Sequence, residues 1–530
     1  MNSPEEVQLA DLDENNNTGN EINSNRDLSR NICGPNYASG DGPEIITVRD
    51  DEDSASVTSI DSEDNSNEEF SDSKRNWAEL PSLAVENIYS FLSRTDQSRM
   101  SLVCSRWSRD YGTPCVWKTM KFYLPEHTCS SEVYPEVRFA RKYGSMFRHV
   151  EIICKRVRAH LLGVIWKQLK LFLQAMSSKS HLISIKFLNM GNYFSHLDDF
   201  IHNDVFKAIV NLFQSQEALR TVVFQDSRLT RNEAMELLKA IHHSDKHTIR
   251  VLNLRGFVVD GESNEINTSY LPNLSTVCYR MSGIYNFELD YTQMFEDILY
   301  HLYENLSSGS WEVDMNRQDE SHESNLTLYC EGKRTPDFRG IPSHVWKYFF
   351  NVFPNCRVKM DVTINSQLTN EIEKFLVKGL RIHTLDFRFD KPTSARRIDI
   401  STVFRHLQMA KHVDHLVVVN ILWMPSIADF AGSLTNFIQS CKMLQIFHIH
   451  ARYTSDGIES VLKALLENHP PTLKSITMWF NYLRDDENDG YLQALSEEYY
   501  PLLQVQGIEL FLLADPSRRL RRRQSNVIEQ

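Results

Sequence analysis

The sequence predicts an α/β protein in three parts: a disordered acidic tail, a short helical module, and a long series of strand–helix repeats. Three observations lead there. Residues 1–73 are acidic and hold only Tyr37 and Phe70 as aromatic side chains. The composition changes abruptly at Trp77. From Val150 onward an apolar pattern with strand periodicity recurs along the chain.

The tail comes first. Among residues 1–73 there are 19 Asp/Glu against Arg26, Arg30 and Arg49, a net of −16, whereas the whole chain of 530 residues is −13. A segment so rich in Asn, Ser, Asp and Glu cannot bury enough apolar surface to offset its ordering entropy. The rest of the chain is near neutral, which argues against the basic footprint of a nucleic-acid binder. Within the tail lies Glu44-Ile45-Ile46-Thr47-Val48-Arg49-Asp50-Asp51-Glu52-Asp53. Such a β-prone run followed by acids can add a strand to a partner's sheet edge. It resembles a SUMO-interacting motif, with Ile45, Ile46 and Val48 as the contacts, although a long acidic tail also produces such a run by chance. Ser54, Ser56, Ser59 and Ser62 sit near acids, as sites for acidophilic kinases do.

The helical module follows. Pro81 suits a first helical turn, where its missing N–H costs nothing. Val85, Ile88 and Leu92 then share one helical face. Asp96 stands ready to cap a second run, Gln97 to Trp107, and a third helical piece carrying Trp117 is expected to end near Phe122. Helices this short must pack on one another or on a partner. The order Leu80-Pro81, Ile88, Leu92, Asp96, Val103-Cys104-Ser105-Arg106-Trp107 and Trp117 resembles the F-box over residues 74–122. The resemblance implies a three-helix module docking a Skp adaptor and cullin through Leu80, Pro81, Ile88, Leu92, Leu102, Val103, Trp107 and Trp117. Sequence alone does not sort the residues that face the adaptor from those inside the module.

Residues 123–515 carry the repeats, and residues 516–530 a basic disordered end. The repeating unit is φ-x-x-φ-x-φ, with φ apolar. Its middle position falls at Val150, Ile185, Val222, Leu252, Val277, Leu326, Val358, Leu385, Leu416, Phe447, Ile476 and Ile508. Alternation is the strand period, and helix-like stretches such as Asn232 to Ile241 separate the units. A strand plus helix repeating every ~20–30 residues signals a solenoid. The pattern resembles an irregular leucine-rich repeat. Together with Val116-Trp117-Lys118 and the stretch Ala140 to Glu151, it is similar to F-box proteins of the F-box only protein thirty-nine and thirty-three type. An ordinary α/β domain is the alternative.

In such a strand the residues between the φ positions line an open face. That predicts a substrate-binding row of Asp386, Arg388, Val417, Val419, His448, His450, Arg452 and Trp479, with Lys186, Gln225, Asn253, Arg255 and Arg280 on earlier units. The equally simple reading is that each is a solvated outward residue.

The resemblance implies a substrate-recognition subunit of an SCF-type ubiquitin ligase, holding a target protein near a charged conjugating enzyme; a non-catalytic F-box scaffold acting outside ubiquitylation is the alternative. No catalytic residue, cofactor or metal is expected. Neither Gly-x-x-x-x-Gly-Lys nor Gly-x-Gly-x-x-Gly occurs. His242, His243 and His247 with Asp245 read as a loop cluster rather than a metal site, lacking a cysteine pair or a glutamate base. Nine cysteines without a Cys-x-x-Cys pair, and no apolar leader, fit reduced thiols in cytoplasm or nucleus. No segment approaches the ~20 apolar residues of a membrane span. The run Arg518-Arg519-Leu520-Arg521-Arg522-Arg523 fits a nuclear localisation signal, an anion-binding patch, or a solubilising end.

Overall fold

A computed structural model describes residues 77–124, 134–154, 162–194, 197–241, 249–258, 283–291, 295, 298–299, 303, 323–331, 340–364, 368–389, 399–424, 430–452, 457–481 and 486–514. The acidic tail, the SUMO-like run, the serines near it, the Val277 unit, Arg280, the His242–His247 cluster and the basic end lie outside the described residues.

The described chain divides into a small unit, Leu92–Arg99, and a large one that holds the rest. The small unit is the greater part of helix α2, Arg94–Ser101. Its start is a reciprocal cap. Ser93 Oγ accepts from the Asp96 N–H at 3.2 Å, and the Ser93 hydroxyl donates to Asp96 Oδ2 at 2.7 Å. Asp96 is thus the third residue of the helix, not its cap; Ser93 caps it, its Oγ accepting from the Asp96 N–H.

In the large unit, α1 spans Ser82–Phe91, α3 Ser105–Tyr111 and α4 Pro114–Trp117. Pro81 precedes α1, and its carbonyl accepts from the N–H groups of Ala84 and Val85. The expected second run, Gln97 to Trp107, is not one helix: it covers the end of α2, a turn at residues 102–104 and the start of α3. Gly112 ends α3, and Pro114 opens α4 at the first-turn position that proline favours. The helices stop at Trp117. Phe122 is buried on a strand, so the predicted helix end there is corrected.

That strand is β1, Thr119–Leu124, the first of thirteen in one sheet among the described residues. The others are β2 His149–Cys154, β3 Ser184–Leu188, β4 Thr221–Gln225, β5 Val251–Leu254, β6 Asn286–Asp290, β7 Ser324–Glu331, β8 Cys356–Ile364, β9 Ile382–Phe389, β10 Val418–Trp423, β11 Ile446–Arg452, β12 Ser475–Asn481 and β13 Glu509–Ala514. Each pairs parallel with the next in sequence order. A parallel strand needs a crossover, and helices such as Leu162–Lys179, Asp199–Gln214, Ile400–Met409 and Ile458–Glu467 supply it. Nine of the sequence-derived units fall on strands. Leu416 and Ile508 lie just ahead of β10 and β13. The pattern also runs through two further strands: Trp117-x-x-Met120-x-Phe122 in β1 and Ile284-x-x-Phe287-x-Leu289 in β6.

One face of the sheet is core. Val150 and Ile152, Ile185 and Phe187, Val222 and Phe224, Leu385 and Phe387, and Ile476 and Met478 are all buried, as are the inward faces of the helices. Burying each such side chain contributes about 1.5–3 kcal/mol. Neighbouring repeats are also tied by buried polar side chains. Gln168 Oε1 accepts from the Tyr134 N–H at 3.1 Å, and Gln216 Oε1 from the Leu182 N–H at 2.8 Å. His412 sits between the carbonyls of Leu380 and Leu376, at 2.9 and 3.1 Å. Burial lowers its pKa, against the pull of those two carbonyls. An unpaired polar group at these depths would cost about 1–3 kcal/mol, so these partners explain why polar residues are tolerated there.

Candidate functional site

Two surfaces stand out, one on the helical module and one on the open face of the sheet.

The module has a small core. Val85 and Tyr89, one turn apart on α1, are fully buried, with Val116 and Trp117 from α4. The Tyr89 hydroxyl donates to the Trp107 carbonyl at 2.8 Å, and the Trp107 Nε1–H to the Trp77 carbonyl at 3.2 Å. Burial, then the neighbouring Tyr111, Asp110 and Cys104, push the Tyr89 pKa up to about 12. An aromatic chain leads on from this core. Tyr89 and Tyr111 have ring centroids 5.6 Å apart, Tyr111 and Trp117 4.8 Å, and Trp117 and Phe139 4.9 Å; Trp117 also stacks on Tyr143 at 5.4 Å. Phe139 neighbours Phe122, which in turn meets Phe172 edge-on. The helices and the first repeats therefore share a core.

What the module leaves outside is apolar. Leu102 is 83 % exposed, Phe91 82 % and Leu83 78 %, with Trp77, Pro81 and Val103 also exposed. Leu80, Ile88, Leu92 and Trp107 are half-buried. The eight residues carried over from the resemblance thus separate by position. Leu102, Val103 and Pro81 face outward, and Trp117, 5 % exposed, does not. Trp117 is one of the interior residues of the set, because α4 turns it onto Tyr111, Phe139 and Tyr143. Leu83, Phe91 and Trp77 lie on the same module and outside the predicted set; only exposure reveals them.

A family model described as F-box domain matches residues 77–109. The chain carries an F-box domain. Such domains typically bind a Skp adaptor in SCF complexes, and the general role this domain indicates is that of an adaptor in SCF-type ubiquitin ligases.

On the open face, strand register aligns the outward side chains in rows. Tyr329, Asp361, Asp386, Asn420, His448, Thr477 and Phe511 form one row, from β7 to β13. Arg388, Leu422, His450, Trp479 and Leu513 form the next, from β9 to β13. The central strands are charged but internally paired. Arg388 donates to Asp361 Oδ2 at 2.8 Å, Lys359 to Asp386 Oδ2 at 2.6 Å, and Asn420 Nδ2 to Asp386 Oδ1 at 2.6 Å. Burial raises the Asp361 pKa, with Asp386 adding to it, while Arg388, Arg255 and Lys359 oppose. Two strands before β8, Glu288 accepts from Asn253, Asn286 and the Tyr329 hydroxyl, and the Arg255 guanidinium lies over the Tyr329 ring, 4.4 Å from its centroid. Toward the C-terminal strands the face turns aromatic and apolar. His450 stacks on Trp479, with centroids 5.1 Å apart, and burial lowers the His448 pKa.

Of the predicted row, Asp386, Arg388, His448, His450 and Trp479 share this face, with Lys186, Gln225, Asn253 and Arg255 along earlier strands. Val419 does not. It is fully buried, registered with core residues Leu385 and Phe447. The sequence frame placed Leu416 at the middle apolar position, whereas Leu416 opens the unit and Val419 is the middle. An odd shift of frame reverses every side chain of a strand, so the outward residues of β10 are Val418, Asn420 and Leu422. Val417 precedes β10 and is half-buried. Arg452 ends β11, and its side chain lies outside the described ones.

Among the described residues no group of three His, Cys, Asp or Glu is placed to hold a metal ion. No described helix is long and apolar enough to cross a membrane.

Proposed function

We propose that this chain is a substrate-recognition subunit of an SCF-type ubiquitin ligase. Its F-box docks a Skp adaptor and, through it, a cullin, while the open face of the sheet holds a target protein. The observation that carries the reading is the exposed apolar surface of Leu83, Phe91, Leu102 and Val103 on the matched module. Apolar groups left in water on one small module mark a partner site. The sequential parallel sheet with intervening helices supports reading residues 123–515 as an irregular leucine-rich-repeat-like solenoid. The likeness to the F-box only protein thirty-nine and thirty-three type belongs to this same reading. The chain performs no chemistry in it. Ubiquitylation follows from proximity, which raises the effective concentration of substrate lysines. The protein then works in the cytoplasm, the nucleus or both, and Ile45, Ile46 and Val48 offer a SUMO contact.

Capture of a Skp adaptor and cullin by the full chain, compared with Leu102→Asp/Val103→Asp, tests the reading. Wild type retains both and the variant loses both. Capture of neither by wild type ends it. Partners bound to the wild type should also accumulate when the proteasome is inhibited. Stable capture of adaptor without such accumulation favours the alternative of an F-box scaffold acting outside ubiquitylation.

A further inference from the structure

We propose that the entry ends of the first five strands bind an acidic, carboxylate-rich segment of a partner polypeptide. This surface is neither the F-box patch nor the open face, so the inference goes beyond the reading above and does not depend on it.

Four cations stand in one row there. Lys118, Arg148, Arg220 and Arg250 each come one residue ahead of a strand, β1, β2, β4 and β5 in turn, and Ile183 holds the same position ahead of β3. Backbone bonds set them side by side. The Arg148 N–H donates to the Lys118 carbonyl at 2.9 Å, and the Ile183 N–H to the Arg148 carbonyl at 2.7 Å. The Arg220 N–H donates to the Ile183 carbonyl and the Arg250 N–H to the Arg220 carbonyl, both at 2.8 Å. Neighbouring strands lie about 4.8 Å apart, so these five positions span about 19 Å. The row goes on as Tyr285, without charge. Among the described residues none of the four cations has a carboxylate partner. Later in the sheet Arg357 pairs with Glu323, Lys359 with Asp386 and Arg388 with Asp361.

The backbone holds two of the guanidinium groups in place. Arg148 donates through Nη1 to the carbonyls of Ser145 and Phe147, at 2.9 and 2.8 Å. Arg250 donates through Nη1 to the Gly283 carbonyl at 2.9 Å and lies over the Tyr285 ring, 5.2 Å from its centroid. A guanidinium carries five N–H donors, so each keeps donors to spare. Lys118 and Arg220 are exposed. Lys179 adds a cation beside the turn that Arg148 caps: its ammonium donates to the Arg141 carbonyl at 2.5 Å, and its stem lies beside Gly144.

Charge selects the occupant. Like charges held this close repel one another, and an anion among them relieves that repulsion. A planar guanidinium meets a carboxylate with two parallel N–H bonds. At about 3.3 Å per residue, about six residues of extended chain cover the row. Acidic side chains along such a segment find a cation at four of the five strand ends.

The test uses the full chain and a fluorescein-labelled synthetic peptide in which aspartate and glutamate alternate with serine, with binding read by anisotropy. Lys118→Glu/Arg220→Glu changes two exposed side chains of the row. Lys442→Glu/Lys474→Glu makes the same change in net charge at exposed positions of later repeats. Melting temperatures matching wild type show that both variants are folded. We expect the first pair to weaken binding about tenfold or more and the second less than about threefold. Added salt should weaken binding to wild type. No binding to wild type, or equal losses in the two double variants, overturns the inference. So does an oligonucleotide of equal charge that binds more tightly than the peptide and is lost in the same variant, since the partner would then be a nucleic acid. Carbodiimide cross-linking decides between the remaining occupants. Links from Lys118 to the peptide support the inference, whereas links from Lys118 to carboxylates of residues 1–73 in the same chain overturn it.

Discussion

Replacing Leu102 and Val103 by aspartate separates what the F-box surface does from what holds the module together. Both residues lie in the turn between α2 and α3, Leu102 being 83 % and Val103 65 % exposed. Neither is part of the core of Val85, Tyr89, Val116 and Trp117. Exposed substitutions away from core contacts and caps change stability by about 0.5 kcal/mol or less, so the melting temperature of the isolated chain should hold. Docking is different. Burying each aliphatic side chain contributes about 1.5–3 kcal/mol, and an unpaired carboxylate in the interface adds a desolvation cost. Contacts within one interface do not add fully, so about 3 kcal/mol is a conservative loss, roughly a hundredfold in Kd. Calorimetric titration of the purified adaptor into wild type and variant, with thermal unfolding of both, reads the two quantities separately. An affinity within about threefold of wild type would refute the assignment of this surface. A large fall in melting temperature would show instead that the turn is structural.

Other substitutions probe the interior and the open face. Trp117→Ala should destabilise the chain by about 3–5 kcal/mol, measured by denaturant unfolding, since it empties the junction between Tyr111, Phe139 and Tyr143. Tyr89→Phe should cost about 1 kcal/mol through the lost bond to the Trp107 carbonyl. The Tyr89 pKa is raised, so its contribution is whole below the ordinary tyrosine value of 10.0 and is lost as pH rises from there through about 12. Unfolding curves across that range should fall more steeply for wild type than for Tyr89→Phe. Val419→Lys should cost about 3 kcal/mol or more while Asn420→Lys is tolerated, and equal melting temperatures for the two would refute the β10 register. Arg388→Ala should cost about 1 kcal/mol by chemical denaturation, because it removes a cation that opposes the raised pKa of Asp361.

The F-box was legible because its residues act through local order. Leu80-Pro81, Ile88 and Val103 to Trp107 stand at spacings that short helices enforce, and a chain of helical turns leaves that spacing in the sequence. The strands were legible for the same reason, through their period of two. Periodicity carries no absolute phase when apolar residues crowd together. Val413, Leu416, Val417, Val418 and Val419 allow more than one frame, and only the pairing of Val419 with Leu385 and Phe447 selects the right one.

Composition and local pattern by themselves determined that an acidic segment precedes a helical F-box, and that strand-forming units follow at roughly regular spacing. They determined where apolar side chains recur, not which of them water would reach. The tertiary structure decided that Trp117 turns inward while Leu102 and Val103 stay out. It also set the strands in sequence order in one parallel sheet, paired Arg388 with Asp361, and left β13 as its last strand. Burial and pairing depend on residues distant along the chain. A leucine has the same chemistry in the core and on a docking surface, so its role is defined only once its neighbours are in place.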